Sequence, residues 1–484
     1  MSRNSPDLLN DRWIFWGLLA LIFWVPMPLG SNRTFAVGLL VLWSQLLLWG
    51  LVFAWRHDLA GLSARLSLFR WPVGLLGVFV LVPWVQWMPM PAGLLGGVSP
   101  ETLLVAQGVA ETLRLSLDPM QTQLYAALSF AYWSVFVVAL VVVRDARRLD
   151  RLALVIVASG VLQALLGAVL FSTGATYRLF FSDLIHDRIK GAFVYHNHMA
   201  GYMEICLSVG IGLMLARLGG ESRRVTRSWL DRLSGVIDFL LSPKMRLRLM
   251  LVIMVIALVL TRSRMGNTGF FAAMLVVGVL AIFLSRKTAP KTVALIASLI
   301  IIDIVIIGSW IGLEKVVDRV QETTLTTEGG GREESLELRQ EAARHTYDLV
   351  ADFPVFGTGA GSYYTSYLRY RTLREGYFDH AHNDYAEIAA DFGIPALLVL
   401  GAFVLSSLLC GVRILLKRRS DLPRGMAFGG LMAMVALIIH STVDFNLQIP
   451  SNVVTLLIVI AMVWVAWQLP RGGGDFRKVE VSGT

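Results

Sequence analysis

The chain has 484 residues, 56% of them hydrophobic and only 16% charged, with a mean hydropathy of +0.64 and a formal net charge of +9. This composition excludes an ordinary soluble domain and a disordered chain, and it is that of a polytopic membrane protein. The positive charge does not point to nucleic acid, because no basic stretch is interleaved with base-stacking aromatics outside the apolar runs.

A short polar lead, Met1 to Arg12, precedes the first apolar run. No A-x-A-like cleavage site follows, so the run reads as a retained span and not a signal peptide. Runs long enough to cross about 30 Å of hydrocarbon fall near 13–30, 35–55, 71–92, 124–143, 152–173 and 198–216, then near 249–261, 268–285, 293–312, 385–409, 425–441 and 452–468. The run at 249–261 is short, and Pro26, Pro28, Pro83 and Pro89 blur the ends of the first and third. The expected architecture is all-α and polytopic, a single transmembrane domain over 1–484 with about twelve membrane-crossing helices.

Alternate loops carry the basic residues. One set holds Arg56, Arg65 and Arg70; Arg144, Arg147, Arg148 and Arg151; the stretch from Arg217 to Arg248; Arg286, Lys287 and Lys291; and Arg413, Lys417, Arg418, Arg419 and Arg424. With both termini, this side has roughly 28 of the 43 basic residues, and positive loops stay in the cytoplasm, so both termini are expected there. The stretch 217–248 reads as a solvated inner loop or an amphipathic surface helix. Cys206 and Cys410 lie in or beside spans and read as small apolar fillers.

One sizeable external insertion, residues 313–380, is the place for a lid. Its first part, Glu322 to Glu334, is rich in Gly and Thr. Ser335 suits a helix cap, and Leu338, Ala342, His345 and Leu349 recur at helical spacing through 336–352. Pro and Gly in 353–361 break that helix. The aromatics Tyr363, Tyr364, Tyr367, Tyr370, Tyr377 and Phe378 then suit either an interfacial surface or a sugar-stacking wall.

Seven of the eight histidines fall on the outer side, as do four polar segments, namely 187–201, 261–266, 378–385 and 440–452. Ionisable groups at the edge of hydrocarbon are costly, so they pair with one another or bind a ligand. Arg188, Lys190, Arg262 and Arg264, converging from separate segments without matching carboxylates, suit an anion such as a diphosphate; as single residues they also read as anchors snorkelling to head groups. His382 is the candidate general base, because an imidazole titrating near neutral pH can take a proton from a hydroxyl. Asn383 and Asp384 beside it orient the ring or the acceptor, or else cap a helix. The H-x-H pairs His196/His198 and His380/His382, completed by Asp384 or Asp379, raise a zinc site. The nearby cations and the absence of Cys or an H-E-x-x-H helix argue against it.

At these segments the chain resembles the O-antigen ligase and polymerase superfamily of bacterial envelope enzymes. The residues concerned are Arg188-x-x-Gly191-x-Phe193 with Asn197, the turn Ser263-Arg264-x-Gly266, Pro354-x-x-Gly357-x-Gly359, His382-Asn383-Asp384-Tyr385 followed by Gly393, and His440 through Asp444-Phe445. The resemblance implies a GT-C-like fold in the bacterial inner membrane and a periplasmic active site. It further implies transfer of a glycan from undecaprenyl diphosphate without metal or other cofactor. His382 matches the family's base, and Arg188 and Arg264 its diphosphate-binding arginines. Lys190, Arg262, His380 and His440 extend that site as substrate-binding residues, alongside Asn197, Asn383, Asp384 and Tyr385. His196 departs from the family pattern, where a small residue or Pro is common.

A diphosphate is already a good leaving group, so the chemistry needs a base for the acceptor and fixed cations for the departing charge. That leads to a single in-line displacement with inversion. Lipid A core as acceptor makes a ligase, a second lipid-linked glycan a polymerase, and a protein hydroxyl an O-oligosaccharyltransferase. A lipid-linked glycan transporter would carry mid-membrane charges such as Asp303 or Glu204, and a zinc-dependent membrane hydrolase is the remaining alternative.

Overall fold

The computed structural model describes residues 11–108, 110–178, 188–217, 242–284, 336–371 and 379–470. Among these residues the chain is helical, with no strand beyond one isolated bridge between Pro89 and Arg114. Hydrocarbon dictates this outcome, because a helix satisfies its backbone polar groups within its own segment.

The chain begins with α1 (Arg12–Trp24), α2 (Thr34–Ala54), α3 (Leu59–Ser67) and α4 (Arg70–Trp87). Two short helices, α5 (Ala92–Val98) and α6 (Pro100–Ala106), lead to α7 (Pro119–Val142), α8 (Ala146–Thr173) and α9 (His196–Arg217). Next come α10 (Pro243–Leu260), α11 (Arg264–Leu284), α12 (Leu336–Asp352) and α13 (Tyr363–Ser366). The last four are α14 (Asp384–Phe392), α15 (Ile394–Lys417), α16 (Asp421–His440) and α17 (Pro450–Gln468).

Eight of these, α2, α7, α8, α9, α11, α15, α16 and α17, are long and apolar enough to cross a membrane. Helices α3 and α4 make a ninth if counted as one span bent by 92°. The protein is thus multi-pass. The expected first span is a helix of only 13 residues, α1. The run expected at 249–261 extends to 18 residues as α10, but Lys244, Arg246 and Arg248 in its first half make it less apolar than the others. The run at 293–312, Asp303, residues 313–335, most of the basic stretch 217–248, and both terminal tails lie outside the described residues.

The run expected at 385–409 is two elements. Helix α14 ends at Phe392, Gly393 turns the chain at φ +86°, and the span proper starts at Ile394. Ile388 and Phe392 pack beside Ala360 and Phe79, with the rings of Phe79 and Phe392 stacked at 4.9 Å, so the apolar face of α14 meets protein.

Helix α9 is the centre of the bundle: every residue in it except Leu215 and Arg217 is buried. Its most extensive neighbour is α16. A Cβ on Gly212 would collide with the Gly425 carbonyl, and one on Gly429 would lie 2.6 Å from the Ser208 carbonyl oxygen. Backbones that approach this closely supply the packing that lipid-immersed helices need, since lipid removes the hydrophobic drive for association.

The two ends of the bundle differ in chemistry. At one, Asp11 pairs with Arg144 and Arg148 at 2.6 and 2.9 Å, and Arg217 with Asp150 at 2.8 Å. At the other, the start of α9 meets the end of α16 and the start of α17, where the Asn452 amide donates to the His198 carbonyl at 3.1 Å.

The described part of the segment expected as an external insertion packs on this second end. Helix α12 spans the predicted 336–352, and Ala342, Leu349 and Phe353 form a small core with Tyr363, Tyr367, Ala381 and Ala390. The predicted glycine break is a clamp on the end of α14. Thr358 and Gly359 donate their N–H groups to the carbonyls of Ala390 and Asp391, satisfying acceptors that a helix end leaves open. Gly357 and Gly359 hold φ of +65° and +114°, where a side chain would also strike Asp391 or Ser116. Gln86, fully buried at the end of α4, donates to Phe356 and Asp391 carbonyls and accepts from Ala360 N–H, fixing the segment to the bundle.

Candidate active site

The expected outer residues converge on one aromatic ring. Phe445, in the turn between α16 and α17, is stacked by the His380 imidazole at a centroid distance of 4.2 Å. His198 and His382 meet its edge at 4.6 and 5.0 Å, both nearly perpendicular, and Tyr195 lies parallel to it at 6.5 Å. Three of the expected segments, separate in sequence, therefore share one side chain.

His382 is buried and holds φ +48°. Non-glycine residues rarely occupy this left-handed region, and such positions cluster where function over-determines the backbone. Arg262 does the same at φ +57°.

Next to it, Asn383 is the N-cap of α14, its side-chain oxygen accepting from the N–H groups of Tyr385 and Ala386 at 3.0 and 3.1 Å. Asp384 is fully buried and committed to the turn after α16: its carboxylate accepts from the Ser441 hydroxyl at 2.7 Å and from Leu447 N–H at 3.0 Å. Its own N–H donates to the Ser441 carbonyl at 3.0 Å. Tyr385 donates its hydroxyl to the Ile438 carbonyl at 2.7 Å. These three residues, expected as substrate contacts, hold backbone in place around the histidines.

His380 and His382 have unlike surroundings. His380 Nδ1 lies 2.7 Å from Glu387, whose second oxygen accepts from Ala381 N–H at 2.9 Å. Burial alone would lower the His380 pKa, but the charge and hydrogen bond of Glu387, with Asp379 adding, hold it up at about 9. His380 is then a cation on the face of Phe445 at neutral pH, and a group that already carries its proton cannot serve as the base.

Beneath the ring lies an ionisable chain. His440 is fully buried between Glu204, 3.1 Å from Nδ1, and Asp444, 3.7 Å from Nε2. Asp444 also faces His198 at 4.0 Å. Burial would raise the Asp444 carboxyl, yet the neighbouring His440 and His198 imidazoles keep it below the usual range. Glu204, an interior charge of the kind a transporter carries, is accounted for by its partner His440.

Of the expected cations, Arg188 Nη1 lies 2.6 Å from His196 Nε2. A guanidinium only donates, so that nitrogen accepts and His196 is assigned as the tautomer with its proton on Nδ1. Lys190 is half-buried two residues on, before Gly191 at φ +56°. Asn197 sits buried in the first turn of α9. Arg262 and Arg264 are exposed in the turn between α10 and α11. That turn is seated against α9, because a Cβ on Gly266 would lie 2.6 Å from Ala200. No contact among the described residues ties Arg262 or Arg264 to His382.

Residues 249–401 match the protein-family model described as O-Antigen ligase. The match covers about a third of the chain and supports the resemblance to the O-antigen ligase superfamily at that segment. No curated protein matches the chain. The matched segment contains Arg262, Arg264, His380 and the run His382 to Tyr385, while Arg188, Lys190, Asn197, His440 and Phe445 come to the ligase segment from either side of it.

The zinc alternative placed His196 and His198 on one face of a strand. Both lie in the first turn of α9, where residues two apart point in divergent directions, and no metal-binding group of three or more His, Cys, Asp or Glu occurs among the described residues. Glu387 and Glu204 had no assigned role in the sequence reading of the site, and Phe445 entered it only as part of a motif. Only Glu387 had a local signal, a carboxylate one turn into the helix that follows His380.

Proposed function

We propose that the protein is a membrane glycosyltransferase of the O-antigen ligase type, moving a glycan from undecaprenyl diphosphate to a hydroxyl of lipid A core on the periplasmic face. The observation that carries this reading is the gathering of His198, His380 and His382 around Phe445, at the end of the bundle that also presents Arg188 and Lys190. His382 takes the acceptor proton as the new glycosidic bond forms, and the bond to the diphosphate breaks on the opposite face of the sugar, inverting the anomeric centre. Arg188 and Arg264, with Lys190 and Arg262, stabilise the charge on the departing diphosphate. His380, already cationic, fixes Phe445 and the loop that carries the base. The displacement draws on no metal or redox cofactor, because the leaving group needs charge stabilisation alone.

Complementation of envelope glycan assembly in a deletion strain tests this, using wild type and His382→Ala at matched expression with products resolved on a polysaccharide gel. Wild type restores attached chains and the variant leaves long unattached chains. Single-repeat products in the deletion strain would make the enzyme a polymerase instead, and full activity of His382→Ala would end the general-base role.

A further inference from the structure

Beside the histidine cluster lies a cavity of about 170 Å³ that the proposed mechanism does not use. It is bounded by Asp118 and Tyr125 of the α7 end, Tyr364 of α13, Asp379 and His380 of the loop, and Asp391 of α14. Drug-sized ligands occupy about 300–1,000 Å³, so this space suits a single sugar ring. Asp391, which lines it, is 1% exposed: its Oδ2 accepts from Gly361 N–H at 2.8 Å, and its Oδ1 makes no hydrogen bond. A buried oxygen left open in this way costs stability unless something arrives to satisfy it. His380 borders both this cavity and Phe445, the ring whose edge His382 meets, so one residue links the cavity to the proposed base.

We infer that this cavity binds an uncharged pyranose of the acceptor glycan, through hydroxyl hydrogen bonds to Asp391 and Asp118 and packing against Tyr364. The inference rests on the glycosyltransferase reading and adds the chemistry of its acceptor. Carboxyl groups accept paired sugar hydroxyls and tyrosine rings pack against C–H faces of the ring. Burial, with the charge of Glu387, pushes the Asp391 carboxyl well above the usual range. Among the described residues that line it, His380 is the one basic group against four carboxyl groups, Glu387 included, an arrangement that disfavours phosphorylated or uronic sugars. Charge is thereby divided, with the diphosphate on the Arg188 side and a neutral ring on the Asp391 side.

The test uses the full-length protein in lipid nanodiscs and saturation-transfer NMR with methyl α-glucopyranoside, α-galactopyranoside and α-mannopyranoside. Glucose 6-phosphate serves as the anionic control, and undecaprenyl diphosphate binding is measured on the same samples. At least one glycoside binds the wild type more tightly than glucose 6-phosphate does. Asp391→Asn and Tyr364→Ala each weaken it about tenfold, the loss expected from one hydrogen bond to a carboxyl group or one ring contact. Arg188→Ala leaves glycoside binding unchanged and weakens undecaprenyl diphosphate instead. Tyr364 is 46% exposed, so its variant decides the matter if Asp391→Asn does not fold. Absent glycoside binding, equal binding by both cavity variants, or a preference for glucose 6-phosphate overturns the inference. Undecaprenyl diphosphate binding that survives such a result leaves the glycosyltransferase reading standing, whereas its loss removes that reading separately.

Discussion

Replacing Glu387 by Gln tests the division of labour between the two neighbouring histidines. Glu387 is 2% exposed and has two partners, His380 Nδ1 at 2.7 Å and Ala381 N–H at 2.9 Å. The amide keeps an oxygen for Ala381 but removes the charge that outweighs burial at His380. Returning that imidazole from about 9 to its ordinary 6.5 corresponds to about 3 kcal/mol at 1.36 kcal/mol per pH unit, an upper bound for a partly exposed ring. The folded pKa lies above the unfolded one, so the pair's stabilisation is complete below pH 6.5 and disappears as pH rises through about 9. Thermal denaturation in detergent, followed from about pH 6 to about pH 10, should show wild type losing stability across that window relative to Glu387→Gln. The gap between the two proteins is widest in acid and closes in base. Parallel curves at all pH values would refute the argument that Glu387 keeps His380 protonated, and would return His380 to contention as the base.

Arg188→Ala should lower turnover by about 100-fold or more, as loss of an oxyanion-type donor does, read as transfer from purified lipid-linked donor. Arg264→Ala should cost a similar factor by the same assay, and near-normal activity would remove this exposed arginine from the site. His440→Ala strands Glu204 in the bundle interior, and breaking a buried pair costs about 3–5 kcal/mol. A melting temperature matching wild type would show that the pair is dispensable. Asp384→Ala leaves the Ser441 hydroxyl and Leu447 N–H without an acceptor, at about 1–3 kcal/mol each. Faster amide exchange confined to 441–447 and 379–385 is the expected signature, and unchanged protection there would count against the carboxylate as the link.

Much of the membrane domain was legible because span length and apolar content are set by hydrocarbon thickness alone. The division of the run 385–409 was not, since the apolar residues of α14 read the same whether they meet lipid or, as here, Ala360 and Phe79. The helix over 336–352 was legible from spacing, yet Tyr363 and Tyr367, taken for an interfacial or sugar-stacking surface, are stacked on each other inside a small core. Single residues have no period to reveal which side they face. His382 and the arginines expected on the outer side were singled out from residue type and motif order. Phe445 was not assigned a role because its importance comes from contacts with Tyr195, His198, His380 and His382, and no local pattern encodes such a meeting. Asn383 matched its capping alternative, whereas the burial of Asp384 against a turn remote in sequence could be seen only in three dimensions.

The Asp384 carboxylate, two positions from His382, is bound to Ser441 and Leu447, which lie 57 and 63 residues on and flank Phe445. Base and ring consequently travel as one piece, and their spacing is set during folding, before any sugar is bound. An acceptor that reaches this end of the bundle meets an imidazole already oriented, so little local rearrangement separates docking from bond formation. Under the proposed function, the slow step in each cycle then falls to the lipid carrier, which must bring its glycan up to a fixed target and leave again through the bilayer.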